Sequence, residues 1–87
     1  MKASIFVYPN PLAGDRFSLQ LDNKPKGAYI VRLINPAGQA VFSKTINHEG
    51  GSATESIQLP LQLAKGIYRV AVKDKKNQTE LIALVLN

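Results

Sequence analysis

Cysteine and tryptophan are absent from this 87-residue chain, histidine and methionine occur once each, and aromatic residues make up 7%. Without cysteine there is no disulfide staple, no thiolate nucleophile and no zinc site built on sulfur, so packing alone must hold the fold. The same absence leaves the compartment open, because a cysteine-free domain suits cytoplasm, periplasm or medium. No apolar run nears the roughly 18 uninterrupted residues of a membrane-spanning helix, so no span is expected. A helix-period stripe of ten or more residues is likewise missing. Carboxylates are few, six Asp plus Glu against 11 Lys plus Arg, which sets the net charge at +5.

Hydrophobic residues form 45% of the chain, too many for a disordered tail, and the length fits one small domain. At this size roughly 60–68% of the unfolded surface is buried, which makes a thin core with no room for a large cleft. Met1-Lys2 followed by the apolar stretch 3–8 falls short of the 7–15 residue apolar segment of a signal peptide and meets Pro9 instead of a small-residue cleavage site. Met1 therefore reads as an added or internal start, and the chain as a piece of a longer protein.

Turn residues recur at near-regular spacing: Pro9-Asn10-Pro11 with Gly14, then 23–27, 35–38, 47–51, 60–66 and 74–77. Between them the residues alternate. Phe17, Leu19 and Leu21 oppose Arg16, Ser18 and Gln20, and Tyr68, Val70 and Val72 oppose Arg69, Ala71 and Lys73, the period of half-buried strands. Tyr29, Val31 and Leu33 alternate too, with Ile30 and Ile34 adding a second apolar face, as in a central strand covered on both sides. Further strands are expected over 3–8, 39–46, 52–59 and 79–86. Residues 79–86 are apolar on both faces, and their hairpin spacing after a Lys-Lys-Asn turn favours a strand over a helix. Residues 60–65 allow at most one helical turn before Gly66. Seven short strands separated by turns predict an all-β fold, an immunoglobulin-like antiparallel β-sandwich. Lys26-Gly27-Ala28-Tyr29 is echoed by Lys65-Gly66-Ile67-Tyr68, a pattern that places each tyrosine ring inward with its hydroxyl near the rim.

No constellation for catalysis emerges. His48 lies in Asn47-His48-Glu49-Gly50-Gly51, which reads as a polar hairpin loop with an exposed imidazole and too few neighbours for a metal. Ser18, Ser43, Ser52 and Ser56 lack a nucleophile elbow, and Asp15, Asp22, Glu49, Glu55, Asp74 and Glu80 are scattered over separate elements. The glycines start no phosphate-binding helix. Most lysines sit at turns and most aromatics at core-type positions, so a nucleic-acid partner is not expected. Neither an enzyme nor a cofactor is expected.

The order Tyr8-Pro9-Asn10-Pro11, Phe17-x-Leu19-x-Leu21, Gly27-x-Tyr29-x-Val31-x-Leu33, Gly38-Gln39, His48-Glu49-Gly50-Gly51, Leu63-Ala64-Lys65-Gly66-Ile67-Tyr68-x-Val70-x-Val72 and a short apolar terminal strand resembles the type A C-terminal sorting domain of the type IX (Por) secretion system. The resemblance spans nearly the whole chain. It implies a non-catalytic signal of Bacteroidetes-type bacteria, joined to an upstream cargo domain that has reached the periplasm. Shuttle proteins and the outer-membrane translocon would read it, and a surface sortase would remove it, leaving the cargo on the cell surface or in the medium. Recognition elements carried over by the resemblance are Pro9, Asn10, Pro11, Gly27 with Tyr29, Gly38, Gly66 with Tyr68, and Leu84, Val85 and Leu86. One departure stands out: nothing basic follows Lys76, and Glu80 occupies the approach to the last strand. That terminal strand has two readings, an exposed strand that docks by β-augmentation or one that completes the sandwich. A fibronectin-like spacer or carbohydrate-binding module is the alternative for the whole domain.

Overall fold

The structure, a computed structural model, describes residues 3–60 and 62–87. Seven strands follow one another: β1 (Ser4–Tyr8), β2 (Arg16–Lys24), β3 (Gly27–Ile34), β4 (Ala40–His48), β5 (Gly51–Gln58), β6 (Gly66–Lys73) and β7 (Thr79–Leu86). All named pairs are antiparallel, in one sheet of order β1-β2-β5 and another of order β4-β3-β6-β7. This is the expected sandwich, with β4 beside β3 in the four-stranded layer.

Alternation explains why the layers close on each other, since successive side chains of a strand point to opposite faces. Phe17, Leu19 and Leu21 of β2 and Ile57 of β5 meet Tyr29, Val31 and Leu33 of β3, Val70 and Val72 of β6, and Leu84 of β7 in one buried cluster. Each fully buried side chain of this kind contributes about 1.5–3 kcal/mol against backbone ordering. β3 is central by pairing, as expected, but not covered on both faces. Ile30 and Ile34 lie half-buried on the outside of the four-stranded sheet, because a two-layer domain has no third layer to put over them.

One further expectation is corrected. His48 is no loop residue: β4 runs on through it, opposite Gly27, and the side chain is 4% exposed. Its Nε2–H donates to the Gly51 carbonyl at 3.0 Å, and the ring stands edge-on to Tyr29 at 5.8 Å between centroids. A buried imidazole is tolerable here because its donor is used. Between β5 and β6 the described residues form no helix, within the limit of one turn set before Gly66, and Gln62 takes a left-handed φ of 69°. Leu61 within that segment, and Met1 and Lys2, lie outside the described residues.

Candidate functional site

After β1 the chain leaves its sheet and crosses to the other. Pro9 and Pro11 have no N–H to offer a ladder, so the side chain of Asn10 substitutes for the backbone. Its Nδ2–H donates to the Ala83 carbonyl at 2.8 Å and its Oδ1 accepts from the Val85 N–H at 3.1 Å. Leu12 then returns to main-chain pairing, in a parallel bridge to Leu86. Its N–H donates to the Val85 carbonyl at 2.7 Å, and the Asn87 N–H donates to the Leu12 carbonyl at 2.9 Å. The outer edge of β7 from Ala83 to Asn87 is thereby clasped by a segment that comes from β1. Leu12 is itself buried to 2% exposure and packs in the core with Leu84 and Leu86.

This geometry decides between the two readings of the terminal strand. β7 completes the sandwich: Leu84 and Leu86 are buried, the inner edge pairs with β6, and the last part of the outer edge is occupied. Sequence reading missed Leu12, although one signal was present, a large apolar residue in a stretch otherwise made of turn residues. The edges of the sandwich opposite the clasp are protected differently. By register, Lys44 on β4 and Glu55 on β5 take inward positions, opposite Val31 and Leu19, and inward charges on edge strands discourage strand addition.

The two Gly-x-Tyr strings form the same local device. The Tyr29 hydroxyl donates to the Pro25 carbonyl and the Tyr68 hydroxyl to the Ala64 carbonyl, both at 2.7 Å and both four residues back. Each is a tyrosine corner, fixing the chain where it enters a strand. Gly27 at φ +152° and Gly66 at φ +154° sit where L side chains rarely go, and the space is taken. A Cβ on Gly27 would meet Lys75 Cδ, and one on Gly66 would meet Pro36 Cγ, each at 3.2 Å. Burial pushes the Tyr29 phenol above its usual pKa, with Lys24 acting in the opposite direction.

β3 and β6 are antiparallel, so the two corners lie at opposite ends of the sandwich. Gly66 pairs with Leu86 and Tyr68 with Leu84. Asn10 and its flanking prolines therefore share one end with Gly66, Tyr68, Leu84, Val85 and Leu86. Gly38 belongs to the β3–β4 turn at that end, where its N–H donates to the Asn35 carbonyl at 2.9 Å. Gly27 and Tyr29 are not part of this cluster. Their end holds His48 and an open cavity of ≈ 330 Å³ lined by Lys24, Lys26, Lys75 and Lys76. Lys24 Nζ there reaches Glu80 Oε1 at 2.6 Å, so the carboxylate that approaches β7 has a cation from β2 beside it.

The clustered end presents backbone, prolines and an apolar strand. Among the described residues no three His, Cys, Asp or Glu side chains gather as a metal site would require. No helix among them is long and apolar enough to cross a membrane. Phe17, Tyr29 and Tyr68 lie in the core and Phe42 packs against it, so most aromatics occupy core positions, while Phe6 and Tyr8 project from the outer face of β1, 50% and 43% exposed. Compared with models of protein families, residues 6–85 match the secretion system C-terminal sorting domain. No curated protein matches the chain.

Proposed function

We propose, from the premise that this chain belongs to the family of secretion system C-terminal sorting domains, that it directs a cargo domain preceding it in the same protein to the type IX translocon. A sorting signal of this family is a non-catalytic tag whose cargo ends on the cell surface or outside the cell. In this reading the domain travels folded from the periplasm, shuttle proteins and translocon engage it, and a surface sortase removes it afterwards. The observation that carries the reading is the family match over residues 6–85. The clasp gives it a physical form, because Asn10 and β7 are both recognition elements of the resemblance and touch only when the chain is folded. The element read would then be a folded joint and not a linear peptide.

The test fuses the chain behind an exported fluorescent protein in a bacterium with a type IX system. Three forms are compared: the intact chain, one lacking residues 84–87, and Asn10→Ala. Fluorescence should reach the surface and medium with the intact chain, fail with the truncation, and fail with every form when the translocon is disabled. Asn10→Ala keeps the core residues, so a reduced export from it separates loss of the clasp from loss of the fold. Retention of the folded intact fusion in the periplasm would sink the sorting reading. The second reading, an accessory module that binds carbohydrate, draws on Phe6 and Tyr8, two half-exposed rings on the same face of one strand. Binding of the isolated chain to polysaccharide, abolished by Phe6→Ala with Tyr8→Ala, would favour it.

A further inference from the structure

The outer faces of the two sheets differ in kind. On the three-stranded sheet β1 presents Phe6 and Tyr8, while the outward side chains of β2 and β5 are polar and several are bonded to each other: Arg16 donates to Gln58 Oε1 at 2.9 and 3.1 Å, and Gln20 donates to both oxygens of Asp22. On the four-stranded sheet, register places Ile30 beside Lys73, Arg32 beside Ala71 and Leu81, Ile34 beside Arg69 and Ala83, and Ile67 beside Val85. Ile67 and Leu81 are 64% and 59% exposed. No carboxylate takes an outward position on this sheet. Among the described residues, Arg32, Arg69 and Lys73 make no ion pair.

We propose that this face docks a protein surface of the secretion machinery in which carboxylates are set among apolar side chains, matching Arg32, Arg69 and Lys73 on the two central strands. The proposal rests on the sorting reading and assigns it a surface. The patch spans β3, β6 and β7, roughly 14 by 23 Å for three strands of about seven residues each, and is bordered on β4 by the polar outward residues Ser43, Thr45 and Asn47. That area is the scale of the centre of a standard interface, in which each partner contributes about 800 Å². Exposed branched side chains such as Ile67 and Leu81, grouped on one face of a small domain, mark a contact site. The three unpaired cations set the sign of the partner, since complementary charge steers encounter and like charge repels. A second copy of this chain is disfavoured, because a two-fold contact would bring the same three cations face to face. An anionic lipid surface is disfavoured as well. Interfacial anchoring uses aromatic rings, and this face has none, while Phe6 and Tyr8 belong to the other sheet.

The test uses the cargo fusion above in exporting cells. Arg32→Glu, Arg69→Glu and Lys73→Glu are combined in one variant, and Lys26→Glu, Lys65→Glu and Lys76→Glu in another of equal charge at turns. Folding of both is checked by thermal melting of the purified fusions. The face variant should lose export at least about tenfold, as expected for like charges brought together at a contact, while the turn variant stays within about twofold of the parent. A photoreactive side chain in place of Leu81 should form a discrete protein adduct that disappears in the face variant. The same group in place of Ser56, on the other sheet, should form none. Equal export by parent and face variant would overturn the proposal while leaving the sorting reading standing; no export by the parent would remove the reading itself. An adduct at twice the mass of the fusion, or a lipid ladder, would also overturn the proposal by naming a different occupant.

Discussion

Replacing Asn10 by alanine removes two hydrogen bonds, to the Ala83 carbonyl and from the Val85 N–H, and leaves every buried side chain in place. Each bond is worth about 0.5–1.5 kcal/mol net, and because the site is exposed the freed groups return to water, so the loss falls at about 1–2 kcal/mol in total. In a domain of this length 1 kcal/mol corresponds to roughly 5 °C, so the melting temperature should drop by about 5–10 °C. Asn10→Asp keeps the acceptor for Val85 and loses the donor, and should fall between the two. Amide hydrogen exchange locates the effect. Val85 should lose protection at least about tenfold more than Leu84, whose side of the strand faces β6, because local opening of one edge leaves the ladder intact. An unchanged melting temperature, or an equal loss of protection at Val85 and Leu84, would refute the clasp as a separate stabilising contact.

Gly66→Ala forces a Cβ to 3.2 Å from Pro36 at a φ of +154° and should cost about 1–3 kcal/mol in denaturant unfolding, whereas Gly14→Ala, with nothing within 4 Å, should stay within about 0.5 kcal/mol. Tyr68→Phe leaves the Ala64 carbonyl without its 2.7 Å donor and should destabilise by about 1–3 kcal/mol, measured by the same unfolding curve. The Tyr29 phenol is raised by burial. Its contribution to stability is complete below the unfolded value of about 10 and is lost as pH climbs from there through the higher folded value. Stability followed across alkaline pH should therefore fall less steeply in Tyr29→Phe than in the parent.

Local periodicity and local turn chemistry were legible without a structure. The alternation of Phe17, Leu19 and Leu21, or of Tyr68, Val70 and Val72, depends only on the two-residue repeat of an extended chain, and those residues are the core. The Gly-x-Tyr echo was legible for the same reason, since each hydroxyl bonds only four residues back. Family membership followed from the order of such short strings. What tertiary structure alone decided were pairings across long separations. Asn10 meets Ala83 and Val85 across 73 and 75 residues, and no property of Pro9-Asn10-Pro11 names its partner strand. His48 turns inward because β4 runs on opposite Gly27, an outcome set by the neighbouring strand and not by the glycines that follow it. The exposed face of Ile30, Ile67 and Leu81 was hidden in the same way. Alternation says that a residue points away from its neighbour, but strand order determines which outward residues lie side by side and whether another layer covers them.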